Sequence, residues 1–162
     1  MSNQIAEERM LICRIRGGLC ALSLSQVVET MRPLPTEWVA GAPPFVSGLA
    51  VIRGMAVPVV DAARLIGGGD GELGRARRFV TLDLGGRTVA LAVDDVVGVR
   101  TLSASSRHDL PPLLKDAARE SIDAVAALDS HLLLVLQAAR LLPAGVAWAS
   151  LPSTPPVTEP EG

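Results

Sequence analysis

Few residues of this chain could carry out covalent chemistry, and their spacing favours none of the common mechanisms. The chain has two histidines, His108 and His131, and a lone loop histidine is more often solvated than catalytic. No nucleophile elbow and no zinc-protease motif accompanies them. Asp94 and Asp95 form a carboxylate pair, but neighbouring residues on a strand point to opposite faces and cannot share a proton. We therefore predict no enzyme, with no catalytic residue, no metal ligand and no cofactor.

Two cysteines, Cys13 and Cys20, are the remaining reactive side chains. Their spacing matches no zinc-binding pattern, and no histidine is close to them. We take Gly17-Gly18 as a two-residue turn, which pairs Cys13 with Leu22. The two thiols then share one face of a hairpin but are offset along it. We interpret both as small buried hydrophobic residues in a reducing cytosol, where they need not form a disulfide.

Composition narrows the class of protein. The 162 residues fit one domain, or two small ones that share a core, and the formal charge of −2 offers no electrostatic footprint for nucleic acid. No segment reaches the roughly 20 consecutive apolar residues that a membrane span needs. The polar start, with Glu7 and Glu8, is unlike a signal peptide. Arg75, Arg77 and Arg78 are interpreted as a strand entrance that faces water. We expect a cytoplasmic protein that works through its surface.

The chain contains an internal repeat. The segment 21–28 matches 90–97 in pattern, and the segment 59–66 is echoed by 135–142. Both halves show the same order of elements, which is a hairpin, a spacer, a second hairpin and one short helix. Two echoes in matching order indicate two duplicated units rather than a solenoid.

The second hairpin is the most informative segment, with predicted strands over 46–52 and 55–60. Arg53-Gly54 interrupts two apolar runs and is predicted to form the tight turn between them, because glycine supplies the backbone freedom that such turns need. The guanidinium group of Arg53 then stands at an exposed tip on a rigid base. Asp61 is expected to cap a single helical turn over 62–66.

The remaining elements suit small antiparallel barrels. Residues 10–16 and 20–30 are predicted to form the first hairpin, with one buried face and one polar face. Pro58 cannot donate a ladder hydrogen bond and is therefore placed at a sheet edge or an irregularity. Short strands, regular turns and little helix together favour this architecture.

The segment from Gly48 to Asp61, GLAVIRGMAVPVVD, resembles the signature of the CheW-like chemotaxis coupling proteins. That signature runs roughly Gly-Val-x-Asn-Leu-Arg-Gly-x-x-x-Pro-Val-x-Asp-Leu. The segment 89–96 is similar to the family strand that ends in Val-Asp-x-Val. The resemblance implies the family fold, which is mainly all-β and consists of two SH3-like five-stranded antiparallel β-barrels packed together, with short helices.

The domain organisation follows from the extent of this resemblance. It covers residues 10–142, which we expect to form one CheW-like domain of two intertwined barrel subdomains, with the switch between them near 67–76. Residues 1–9 are expected to be a flexible N-terminus. Residues 143–162 are rich in proline and are expected to form a disordered tail.

The resemblance also implies a function and a set of site residues. It implies a non-enzymatic adaptor that couples the cytoplasmic tip of a methyl-accepting chemoreceptor to the regulatory domain of the histidine kinase CheA in signalling arrays. Such a protein is cytoplasmic and reaches the membrane arrays through its partners, with neither membrane insertion nor nucleic acid binding. By position, Val27, Gly48 and Arg53 match receptor-contacting places, and Glu29 matches an acidic residue beside the arginine. No residue is assigned to kinase binding.

Each of these site residues has a physical reason to be considered. Glu29 could orient Arg53 through a bidentate pair of hydrogen bonds. Gly48 could let a partner backbone approach closely, and the alternative is a simple bulge glycine. For Val27 the alternative is an ordinary core valine.

Two alternative functions remain open. Val51 stands where the family usually has asparagine, which gives the hypothesis of a variant that binds the receptor but not the kinase and thereby modulates array assembly. A hypothesis from another class is a small-ligand-sensing β-barrel module that uses the groove between barrels as a pocket. The scarcity of aromatic residues argues against that second hypothesis.

Overall fold

The computed structural model describes residues 7–66, 77–103, 107–108 and 122–137. Within these ranges the chain forms two β-sheets, a 3₁₀ turn at Leu24–Gln26 and one short helix, α1, at Ala62–Leu65. In chain order the strands are β1 (Glu7–Ile15), β2 (Gly18–Ser23), β3 (Val27–Met31), β4 (Val46–Ile52), β5 (Met55–Asp61), β6 (Arg78–Asp83), β7 (Thr88–Val93), β8 (Asp95–Ser103), β9 (Arg107–His108), β10 (Ile122–Leu128) and β11 (His131–Leu136).

The strands assemble into a first sheet with the order β8-β1-β2-β11-β10-β9 and a second sheet with the order β3-β6-β7-β5-β4. The predicted fold class, mainly β with short helices, is confirmed, and two sheets stand where the two five-stranded barrels were predicted. The first sheet has six strands rather than five, because the two residues of β9 add a short strand at its end. The expected antiparallel pairing is wrong at two places, where β2 pairs with β11 and β5 pairs with β7 in parallel.

The two repeated halves of the chain exchange strands, so that each sheet contains strands from both halves. The first hairpin, β1–β2, joins strands of the second half, while β6 and β7 join the first half. The two parallel pairs are equivalent, because Ala21 pairs with Val135 and Ala90 pairs with Val59. These four residues occupy matching positions in the two sequence echoes. Neither half can therefore complete its sheet without the other.

The first hairpin differs from its predicted register. Its turn is Arg16-Gly17, with φ values of 47° and 77°, so that Cys13 pairs directly with Cys20. The predicted turn at Gly17-Gly18 is wrong by one residue, because an arginine can occupy the first left-handed position of a two-residue turn when glycine follows. The second hairpin uses the same geometry at Arg53-Gly54, with φ values of 51° and 76°, and confirms its predicted turn.

The predicted second strand, 20–30, is interrupted. β2 ends at Ser23, the 3₁₀ turn redirects the chain, and β3 begins in the other sheet. Leu24 and Val27, on either side of the redirection, both pack against the same cluster between the sheets. Because both residues are apolar and face the core, the hydrophobic pattern does not show the break, and the strand predicted from it runs from 20 to 30 without interruption.

The hydrophobic core has three parts. One cluster joins the two sheets and includes the fully buried Leu22 and Leu91. A second belongs to the first sheet and brings Leu102 of the end strand β8 together with Leu133 of β11. A third belongs to the second sheet and contains Phe79. Each sheet therefore curls around a core of its own and shares a further core with its neighbour.

Burial on both faces corrects two predictions for β1. Cys13 enters the cluster between the sheets, whereas Met10 and Ile12 enter the cluster of the first sheet. The predicted hairpin with one polar face is therefore wrong, since β1 is an inner strand between two packed clusters. β1 also begins at Glu7, inside the stretch 1–9 that was predicted to be flexible, because it pairs with β8 from that residue onward.

The end of the second hairpin largely follows the prediction. The carboxylate of Asp61 caps α1 by accepting two backbone N–H groups of the first turn at 3.0 and 3.3 Å. The helix ends at Leu65, one residue before the end of the predicted span 62–66. Pro58 lies in β5, an inner strand, so of its two predicted positions, a sheet edge or an irregularity, the edge is wrong. The pairing of β5 with β7 begins only at Val59, one residue beyond the proline.

Three predictions fall outside the described residues. They are the switch near 67–76, the helical part of the echo at 138–142 and the tail 143–162. A search of the described helices finds none that is long and apolar enough to span a bilayer.

Candidate partner-binding site

The tip of the second hairpin presents a cation on a fixed base. Ile52 pairs with Met55 directly beneath the turn, and the Ile52 side chain is buried in the core of the second sheet. Arg53 itself takes a left-handed φ of 51°, and its side chain is 76% exposed. The predicted geometry, an arginine at an exposed tip above a rigid base, is confirmed.

Glu29 of β3 holds the guanidinium group of Arg53 in one orientation. Nε of Arg53 donates to Oε1 at 3.0 Å, and Nη2 donates to Oε2 at 2.6 Å. This bidentate pairing, which was predicted, fixes the plane of the guanidinium group as well as its position. The hydrogen bonds from Arg53 lower the pKa of Glu29 below its ordinary value of 4.5, and the carboxylate raises the pKa of Arg53. Both groups are therefore charged at neutral pH.

Thr81 of β6 fixes the backbone of Glu29. The register between β3 and β6 shifts between Val27 and Glu29, which leaves Val28 as an extra residue in a bulge. At that irregularity the Thr81 hydroxyl group accepts the N–H of Glu29 at 3.2 Å and donates to the Glu29 carbonyl at 3.3 Å. Thr81 is 1% exposed, and it is the one buried polar side chain found among the described residues. Sequence reasoning missed it, because an isolated strand threonine gives no signal of this role.

Gly48 lies elsewhere, about five residues before the tip along β4. It has a φ of 146°, and a Cβ atom there would collide with the backbone carbonyl of Glu37. The Glu37 backbone is held in place by two hydrogen bonds with Leu49, at 2.8 and 2.9 Å. The backbone that approaches Gly48 so closely therefore belongs to this chain. The register shift between Val46 and Gly48 also matches the alternative prediction of a bulge glycine.

The remaining side chains around the tip are largely apolar. Val27 opens β3 and is half-buried against the cluster between the sheets, so both predicted roles, core and contact, are compatible with its position. Val28, Val51 and Met55, close in sequence to the charged pair, are 59%, 50% and 55% exposed. The sequence drew attention to Val51 alone, through its departure from the family pattern.

The carboxylates and histidines considered for catalysis have separate backbone or strand positions. Asp94 accepts the backbone N–H of Arg16 through Oδ2 at 2.6 Å, whereas Asp95 accepts the N–H of its neighbour Val96 at 2.9 Å. His108, predicted in a loop, instead belongs to β9. In the ranges that the structure describes, no group of three or more His, Cys, Asp or Glu side chains could hold a metal ion.

The structure is thus a β-protein of two sheets that share a core and carry the Arg53–Glu29 pair on one hairpin tip. Comparison with known proteins identifies the family to which this arrangement belongs. The model of the CheW-like domain matches residues 9–145, and the chain therefore belongs to the CheW-like family, whose members act as scaffold and adaptor proteins in chemotaxis signalling.

Individual relatives are similar over most of their lengths. The chain is 22% identical over 145 residues to the chemotaxis protein CheW of Bacillus subtilis, which covers 90% of this chain and 93% of that one. It is 30% identical to the protein FrzA of Myxococcus xanthus, over 85% of this chain and 80% of that one. The crystal structure of the scaffolding protein TtCheW from Thermoanaerobacter tengcongensis superposes with a TM-score of 0.75 at 19% identity, covering 87% of this chain and 96% of that structure.

Proposed function

We propose that this protein is a non-enzymatic cytoplasmic adaptor that binds the cytoplasmic tip of a methyl-accepting chemoreceptor and couples it to the regulatory domain of the histidine kinase CheA. The observation that carries this proposal is the bidentate Arg53–Glu29 pair on the hairpin tip of a CheW-like fold. Glu29 orients the guanidinium group of Arg53 toward solvent and leaves some of its N–H donors unused.

The chemistry of the tip suits a helical partner. A guanidinium group has five N–H donors, and Glu29 accepts two of them, which leaves three for the partner. The exposed side chains of Val28, Val51 and Met55 supply apolar contacts close to the same pair in sequence. Apolar anchors with a few oriented polar groups are the usual means by which a protein groove recognises a helix.

The orientation of Arg53 is important because an unconstrained arginine loses side-chain entropy when it binds. A side chain that is already held by Glu29 and supported by Thr81 has less freedom to lose, so that a given contact yields more affinity. Within the site, Glu29 and Thr81 are thus positioning residues, and Arg53 is the contact residue. Gly48 is assigned a structural role in keeping the segment around Glu37 in place.

Whether the protein also binds the kinase regulatory domain depends on Val51. This side chain lies on the exposed side of β4, two residues before Arg53, where the family usually has asparagine. An apolar replacement at an exposed position favours the alternative in which the receptor is bound without the kinase. The small-ligand alternative is less favoured, because the described side chains of both sheets pack into one cluster between them.

Two titrations test these functions separately. The full-length protein is titrated by calorimetry with a soluble receptor cytoplasmic fragment and, in a separate experiment, with the CheA regulatory domain of the same organism. The proposed coupling function requires micromolar or tighter binding in both. Binding to the receptor fragment alone supports the receptor-only alternative, and binding to neither contradicts the proposal.

A further inference from the structure

A second charged surface lies just beyond the end of β3. Arg32, Arg77 and Arg78 line an open cleft of about 550 Å³ together with Pro33 and Asp95. All five residues are exposed, and the three guanidinium groups outnumber the single carboxylate. The cleft thus carries a local charge of +2 in a chain whose formal net charge is −2.

Two of these cations lie where the pairing of β3 with β6 ends. The last pair is Met31 with Phe79, and the residues next to it, Arg32 and Arg78, both line the cleft. Like charges that share one cleft repel each other. A neutral side chain at either position would remove this repulsion.

No group in the described part of the chain neutralises this cluster. The ion pairs found there join Arg53 to Glu29 and Arg64 to Asp61, and none involves the three arginines of the cleft. The one carboxylate in the lining, that of Asp95, accepts the N–H of Val96 at 2.9 Å. Among the described residues the three guanidinium groups thus have no ion-pair partner, and an anion bound in the cleft would also relieve the repulsion between Arg32 and Arg78.

We infer that this arginine cleft is an interaction surface for an acidic protein segment, whose carboxylates pair with Arg32, Arg77 and Arg78. Arginine is suited to this role because its planar guanidinium group binds a carboxylate with two parallel hydrogen bonds. The site is separate from the tip of the second hairpin, since none of its lining residues belongs to the Arg53–Glu29 pair.

The other anionic partners fit the observations less well. A membrane surface or a nucleic acid presents many phosphates to a broad basic face, whereas this cleft is concave and holds only three cations. A peptide segment can contact both the cations and the anion of the cleft. Its N–H groups or a basic side chain can approach Asp95 while its carboxylates pair with the arginines. An acidic protein segment is therefore the partner class that we choose.

The test uses the full chain and a fluorescent peptide of consecutive glutamates. The variant Arg32→Gln/Arg78→Gln removes two cations of the cleft, and Arg87→Gln/Arg100→Gln removes two exposed cations outside the cleft with the same change in charge. At about 20 mM salt, where exposed charges are weakly screened, we expect the first variant to weaken peptide binding about tenfold. We expect the second to change it less than about twofold, and the wild-type affinity to fall as salt is raised.

Three results would overturn the inference. Equal losses in both double variants would mean that the charge of the whole surface, and not the cleft, attracts the peptide. Cosedimentation with phosphatidylglycerol vesicles in the absence of peptide binding would indicate a membrane partner. Displacement of the peptide by inorganic phosphate at equal anion concentration would indicate a simple anion site.

Thermal unfolding gives an independent readout. Because the arginines that line the cleft repel each other, Arg32→Gln/Arg78→Gln should melt at the same temperature as the wild type or higher. A clearly lower melting temperature would mean that these arginines stabilise the fold, and it would contradict the argument from repulsion. The peptide assay contains neither receptor nor kinase, so its outcome is distinguishable from failure of the proposed coupling function.

Discussion

The hydroxyl group of Thr81 satisfies both backbone polar groups of Glu29, and it thereby connects the buried face of β6 to the charged hairpin tip. The chain of contacts runs from Thr81 to the Glu29 backbone and from the Glu29 carboxylate to Arg53. It crosses from β3 to the hairpin of β4 and β5, which lie at opposite ends of the second sheet's strand order. The orientation of Arg53 therefore depends on how that sheet curls.

The variant Thr81→Val tests this connection. The substitution keeps the shape of the side chain but removes the hydroxyl group that bonds the N–H and carbonyl groups of Glu29, so we expect a loss of about 1–3 kcal/mol in the free energy of unfolding. Denaturant titration measures that loss, and calorimetry measures the accompanying loss of receptor affinity. Thr81→Ser retains the hydroxyl group and is the control. If valine and serine variants bind the receptor fragment equally well, the positioning role is wrong.

Gly48 is expected to be structural, and a pair of alanine variants separates this role from the cost of an unusual backbone angle. Gly54→Ala introduces strain alone, because its φ is 76° and open space surrounds the position, and should cost about 1–2 kcal/mol. Gly48→Ala adds a collision with the Glu37 backbone and should cost about 2–6 kcal/mol. Chemical denaturation compares the two. If both variants are equally stable, the structural role of Gly48 is wrong, and a role in contacting the partner is favoured instead.

The ion pair at the tip makes a prediction about pH. Because Arg53 lowers the pKa of Glu29, the pair's contribution is complete at neutral pH and is lost only as the pH falls through that lowered pKa. The variant Arg53→Ala should raise the pKa of Glu29 toward its ordinary value of 4.5. Carboxyl-detected NMR titration of both proteins measures the shift. An unchanged pKa would mean that the two side chains do not pair in solution.

The two thiols should be inert in the folded protein. Cys13 and Cys20 are paired directly across β1 and β2 and are 0% and 1% exposed. The hydrogen bond with Cys13 and burial raise the pKa of the Cys20 thiol well above its ordinary value of 9.0, which further reduces the thiolate fraction. An aromatic disulfide reagent should therefore label both rapidly in denaturant and only slowly in buffer. Rapid labelling of the native protein would contradict the packing of this hairpin.

Local sequence determined the parts of the fold that depend on turns and caps. The turn at Arg53-Gly54 and the cap at Asp61 were predictable because each is specified by a few adjacent residues. The exchange of strands between the halves was not, since it depends on parallel pairs between residues such as Ala21 and Val135 that are distant in sequence. Periodicity gives the face of a strand but does not identify its neighbour.

The same limit applies to the candidate site. The pairing of Glu29 with Arg53 could be predicted through the family resemblance, whereas Thr81 could not, because its importance arises only from the bulge opposite it. The cluster of Arg77 and Arg78 looked like an ordinary strand entrance. The structure adds Arg32 to this cluster, because the three arginines line one cleft.

The most direct test of the central claim is a calorimetric titration of the receptor cytoplasmic fragment into wild-type protein, Arg53→Ala and Arg16→Ala. Arg16 is a matched control, because it occupies the same left-handed position before a glycine in the other hairpin turn. We predict that Arg53→Ala weakens binding at least about tenfold while its melting temperature stays close to that of the wild type, and that Arg16→Ala binds like the wild type. Equal affinity for all three proteins would contradict the assignment of the hairpin tip as the receptor-binding site.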